Sequence, residues 1–127
     1  MTTMTSTLDE EVVAWLRRVS AAETPPASVV AFNIGLFEAE NGFSAYLVGA
    51  ERYDANDGDW ACDEAFTARE RYLALPLGRD VKWQRVLELI ADAARRFLAS
   101  TEGSASFLAK ARAVTVGFDD GDLVRVK

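Results

Sequence analysis

At 127 residues, half of them hydrophobic and 27% charged, the chain reads as one globular domain spanning 1–127, long enough to bury about two thirds of the surface its unfolded form would expose. Zero histidines and one cysteine exclude Ser-His and Cys-His nucleophile pairs, histidine-ligated metals, an internal disulfide and cysteine-based zinc. A formal net charge of −6 disfavours nucleic acid as a direct partner, because phosphate binding needs clustered lysine and arginine, and favours a basic partner.

The first residues, Met1 to Thr7, carry neither the basic start nor the apolar run of a secretion signal. No stretch approaches the ~20 apolar residues of a membrane span. A cytoplasmic protein without membrane contact is expected, with residues 1–6 disordered. Thr7-Leu8-Asp9-Glu10 has the form of a capping box and predicts the start of a helix. Leu8, Val12, Trp15, Leu16 and Val19 then recur at helical spacing until Pro25-Pro26 stops the pattern. The segments from Val29 to Glu38 and from Phe43 to Arg52 predict a hairpin around Asn41-Gly42, a dipeptide suited to a type I′ turn. Glu40 opposite Phe43 sets Leu36 against Leu47 and Ile34 against Gly49, so that Val30, Phe32, Ile34, Leu36, Ala45 and Leu47 share an apolar face. The other face carries Ala31, Asn33, Gly35, Phe37, Tyr46 and Val48, with Phe37 opposite Tyr46. Its mixed character predicts that it is only partly covered.

From Glu51 to Glu70 there are seven carboxylates against two arginines, a net of −5 that holds nearly all of the chain's charge. This stretch reads as an acidic loop, followed by a short strand from Arg71 to Leu75 that ends at Pro76 and suits a sheet edge. Asp80 is placed to cap the longest helix, whose apolar stripe is Trp83, Val86, Leu87, Ile90, Ala94 and Phe97. Thr101-Glu102-Gly103 ends that helix, and Ser104 or Ser106 begins a further turn carrying Phe107, Leu108 and Ala111. Val114 to Phe118 and Leu123 to Val126 predict a closing hairpin around Asp119-Asp120-Gly121. A three-residue loop with Gly121 in the left-handed position pairs Val116 with Val124 and Val114 with Val126. The order α-β-β-β-α-(α)-β-β defines an α+β fold, a largely antiparallel sheet of about five strands with two main helices packed on it.

A succession of motifs carries a resemblance. It comprises Phe32-Asn33-Ile34-Gly35-Leu36-Phe37-Glu38, Arg52-Tyr53-Asp54, Asp59-Trp60-Ala61-Cys62, Arg71-Tyr72 and Gly117-Phe118-Asp119-Asp120-Gly121-Asp122-Leu123. From about Val29 onward the chain resembles small bacterial immunity proteins of polymorphic toxin systems and of contact-dependent growth inhibition. The resemblance implies a protein that binds a cognate toxin domain and blocks it. It assigns no contact residues.

Asp54, Asp57, Asp59, Asp63, Glu64 and Glu70, with Trp60 as an aromatic anchor, fit a patch that steers and docks a basic protein. Asp119, Asp120 and Asp122 extend that surface if the two hairpins end on the same side. The same acids also fit a merely solvated surface and ordinary turn chemistry. Trp60 equally fits a lid in which Trp60, Cys62 and Phe66 fold the loop over a sheet edge. Cys62 is expected as a small buried residue, Arg52 and Arg69 as ion-pair partners of nearby acids, and Trp15 and Trp83 as core. The run from Asp54 to Asp59 superficially resembles an EF-hand loop, but glycine falls at loop position 5 instead of 6 and Ala65 stands at position 12. No metal site, cofactor or catalytic residue is expected. Two functions follow: a non-enzymatic immunity protein that neutralises a cognate basic toxin such as a nuclease, or a small-ligand or cation-binding regulatory domain using the same loop. An acidic mimic of nucleic acid is a third reading.

Overall fold

The computed structural model describes residues 4–40, 42–119 and 121–127. Along it run helix α1 (Met4–Ala22), strands β1 (Ala31–Ala39) and β2 (Gly42–Ala50), a 3-10 turn (Gly58–Cys62) and strand β3 (Glu64–Ala74). Helix α2 (Trp83–Ala99), the single turns α3 (Thr101–Ser104) and α4 (Phe107–Lys110), and strands β4 (Ala113–Phe118) and β5 (Val124–Arg125) complete it. The class is α+β, as the sequence predicts.

Helix α1 starts at Met4, so Thr7 and Glu10 lie inside the helix instead of forming its cap, and residues 4–6 are helical where disorder is expected. The rest of that expectation, residues 1–3, lies outside the described residues. Leu8, Val12, Trp15, Leu16 and Val19 are all buried, which confirms the predicted stripe. In α2 the buried residues are Val86, Leu89, Ile90, Ala91, Ala93, Ala94 and Phe97, so Leu87 of the predicted stripe is only partly buried and Leu89, absent from that stripe, belongs to the core. Trp83 is a correction. It is the first residue of the helix, 52% exposed, and makes a T-shaped contact with Phe118 at the edge of the core. Asp80 is not the cap, because Lys82 holds that position without a side-chain bond. The exit from α2 is tight: Ser100 Oγ accepts from Gly103 N, and a Cβ on Gly103 would lie 1.6 Å from the Phe97 carbonyl oxygen. Only glycine fits there. Ser106 then occupies the N-cap of α4.

The sheet has five strands in the order β3-β2-β1-β4-β5, with β1 and β4 parallel and the other pairs antiparallel. The parallel pair follows from connectivity. The chain crosses the sheet in β1, β2 and β3, returns through α2, and so enters β4 in the direction of β1. In the first hairpin Ile34 pairs with Leu47 and Leu36 with Ala45, a two-residue shift from the predicted register. An even shift preserves the faces within the strands, so Phe32, Ile34, Leu36, Ala45 and Leu47 point into the helix-side core, whereas Val30, expected with them, precedes β1 and packs against the cluster of Ala31, Ala50 and Trp60. Tyr46 now faces Gly35, and Phe37 faces Ser44. In the last hairpin Val116 pairs with Val124 as predicted. Gly42 begins β2 opposite Ala39 instead of lying in the turn expected at Asn41-Gly42, and Asn41 and Asp120 lie outside the described residues.

The greatest departure is β3. It begins at Glu64, so the last seven of the twenty residues of the expected acidic loop belong to an edge strand. A two-residue step along β2, from Tyr46 to Val48, spans five residues of β3, from Tyr72 back to Thr67. This bulge and the charged Arg69, Glu70 and Arg71 within it are what an unpaired sheet edge needs to resist further strand addition. Helix α1 covers the inner side of the bulge, where Trp15 Nε1 donates to the Glu70 carbonyl oxygen at 2.8 Å.

Candidate interaction groove

With both long helices on one face of the sheet, the other face is left to the loops. Ala31 and Ala50 pair across β1 and β2, and their small side chains leave the space that Trp60 fills. Trp60 is 1% exposed and stacks edge-on against Tyr53, while Leu123 from the last hairpin packs on the same cluster. The loop is shaped locally as well. Asp54 accepts from Asn56 N at 2.8 Å and Asp57 from Asp59 N at 2.9 Å, the second bond capping the 3-10 turn. The lid predicted for Trp60 is therefore present, but with other partners: Phe66 lies in the helix-side core and Cys62 is exposed, so the expectation of a buried Cys62 is wrong. As the loop's own anchor, Trp60 has no surface left to offer a partner.

Between this loop, the β4–β5 hairpin and the bare end of the sheet lies an open groove of about 1070 Å³. Its floor holds two buried polar residues from adjacent strands, Asn33 and Thr115, with Thr115 Oγ1 donating to Asn33 Oδ1 at 2.8 Å. One wall is aromatic. Phe37, Tyr46 and Tyr72 pack in mutual contact with centroids 6.0 to 6.3 Å apart, and Tyr72 is 57% exposed. Arg71, not singled out beyond its motif in the sequence reading, lies over Tyr46 and Tyr72 with Cζ 5.7 and 5.3 Å from the ring centroids. Its Nη2 reaches both oxygens of Glu64 at 3.2 Å, and its Nε is buried without a hydrogen-bond partner. Arg125 lies over Tyr53 at 5.3 Å. The Tyr46 hydroxyl donates to Asp119, and burial, then this bond, raises the phenol's pKa above its ordinary value.

The structure divides the predicted acidic set. Asp54, Asp57, Asp59 and Glu64 line the groove, and Asp119 and Asp122 line it from the other hairpin, so the two acidic segments do end on one side. Among the described residues Asp54, Asp57, Asp59 and Asp122 have no ion-pair partner. Asp63 is paired with Arg52 at 2.7 Å, and this bond holds the Arg52 guanidinium above its usual pKa. Glu70 sits apart, over the helix layer. It binds Arg18 through two bonds of 3.0 and 2.6 Å, which lower its pKa. Among the described residues Arg69 has no ion-pair partner, although its backbone N–H donates to Glu23. Asp120 lies outside the described residues. Among the described residues no three acids, cysteines or histidines come together closely enough to hold a metal ion, and no helix is long and apolar enough to cross a membrane.

No protein-family model matches the chain, and neither a curated protein nor a solved structure matches it.

Proposed function

We propose that the chain is a non-enzymatic, cytoplasmic immunity protein that binds a cognate basic toxin domain, such as a nuclease, and neutralises it by covering its active site or substrate channel. One observation carries this reading: two acidic segments distant in sequence surround one open groove, and among the described residues four of their carboxylates have no ion-pair partner. Such a face raises the encounter rate with a basic protein and selects against acidic ones. Nucleic acid would be repelled by it. The decisive experiment co-expresses the chain with toxin domains encoded in its native host. Growth rescue by one of them, lost on charge reversal at Asp57 and Asp59 and weakened by salt, supports the proposal. Failure to protect against any of them removes it.

The buried Asn33–Thr115 pair on the groove floor supports a second reading, a regulatory domain that binds a small ligand. Thermal stabilisation by a metabolite without any protein partner would identify it.

A further inference from the structure

We infer that the groove receives an extended basic segment of the partner chain, with an arginine or lysine side chain entering beside Tyr72 under the rim carboxylates. This rests on reading the acidic face as a protein-binding surface and specifies what that face takes. The rim supplies the charge: its carboxylates outnumber Arg71 and Arg125, and both arginines are already engaged over tyrosine rings. The wall supplies the geometry. It already holds one guanidinium, that of Arg71, and Tyr72 remains 57% exposed beside it, leaving ring surface for a second cation.

The floor decides that the cation belongs to a peptide. Asn33 is only 4% exposed, and its Oδ1 is taken by Thr115. Among the described residues no hydrogen bond is formed by its Nδ2, and Asn33 lines the groove. A donor in that position calls for an acceptor such as a backbone carbonyl oxygen. A peptide brings carbonyls and a cation together, whereas a polyamine brings only the cation. A volume of about 1070 Å³ also lies just above the ~300–1,000 Å³ typical of small-molecule pockets, so several residues can enter.

The test uses the full chain and the capped peptide acetyl-Gly-Arg-Gly-Arg-Gly-amide, with a citrulline version as its neutral isostere, followed by backbone amide NMR. Saturable shifts at Asn33, Tyr72 and Thr115 are expected, with binding about tenfold weaker for citrulline. Tyr72→Ala, an exposed position, should weaken binding about fivefold. Asn33→Ala should weaken it too, while Glu102→Gln on the helix layer should not. Shifts confined to residues 54–59, or equal binding of the citrulline peptide, would overturn the inference. A peptide that enters the groove while no toxin is neutralised removes the immunity reading alone. Neutralisation lost with Asp57→Lys but untouched by Tyr72→Ala, with no peptide in the groove, removes the groove inference alone.

Discussion

Gly35 and Tyr46 face each other across the β1–β2 pair, and a Cβ added to Gly35 would lie 2.0 Å from Cζ of the Tyr46 ring. The missing side chain is what lets the phenol lie across the strand and reach Asp119 in the last hairpin. Gly35→Ala should force the ring away, opening the groove wall and destabilising the fold by roughly 1–3 kcal/mol through overpacking. Urea denaturation measures this, and an unchanged midpoint would show that the ring relocates freely.

The Tyr46 hydroxyl gives a pH signature. Its pKa is raised in the folded state by burial and by the bond to Asp119, while the unfolded phenol ionises near ~10. The contribution is therefore fully present below about pH 10 and is lost as pH rises through the alkaline range. Tyr46→Phe should cost about 0.5–1.5 kcal/mol at neutral pH and should decline less steeply than the natural protein above about pH 10. Parallel alkaline declines of the two proteins would rule this linkage out.

Trp60 holds the acidic loop to the sheet. Trp60→Ala empties the space beside Ala31 and Ala50 and should cost about 3 kcal/mol. Hydrogen exchange should accelerate across residues 53–63 while the helix-side core stays protected, because the two clusters lie on opposite faces of the sheet.

Glu70 separates structural from interaction acids. Its pair with Arg18 is solvent-exposed at 43% and 52% of the side chains, so Glu70→Gln should cost only about 0.5 kcal/mol. Because the folded pKa is lowered, that contribution is present above the ordinary carboxylate pKa and fades as pH falls through the depressed value. Toxin neutralisation and peptide binding should both survive Glu70→Gln, in contrast to Asp57→Lys. Loss of either with Glu70→Gln would return Glu70 to the binding surface.

Cys62 is exposed at the end of the 3-10 turn. A thiol reagent such as dithiobis-nitrobenzoate should therefore label the native protein stoichiometrically without denaturant. Labelling only in urea would mean that the loop folds over the thiol.

The amino-acid sequence by itself determined the stripe of α1, part of the core of α2 (Val86, Ile90, Ala94 and Phe97), the two faces of the first hairpin within its strands and the pairing of Val116 with Val124. Each depends on periodic burial within one segment or on a short turn, and an even register error leaves the faces intact. It did not determine β3, because the charges that protect a sheet edge look the same as those of a loop. Nor did it fix the fate of Trp83, whose place at the end of a stripe lies beyond the edge of the core. Only the tertiary structure decided which acids share a surface. Glu70 lies within the acidic run but was carried to the helix side by the β3 bulge, while Asp119 was brought to Tyr46 from 73 residues away. Those placements depend on strand order and on the parallel β1–β4 pair, contacts between distant segments that no local pattern encodes.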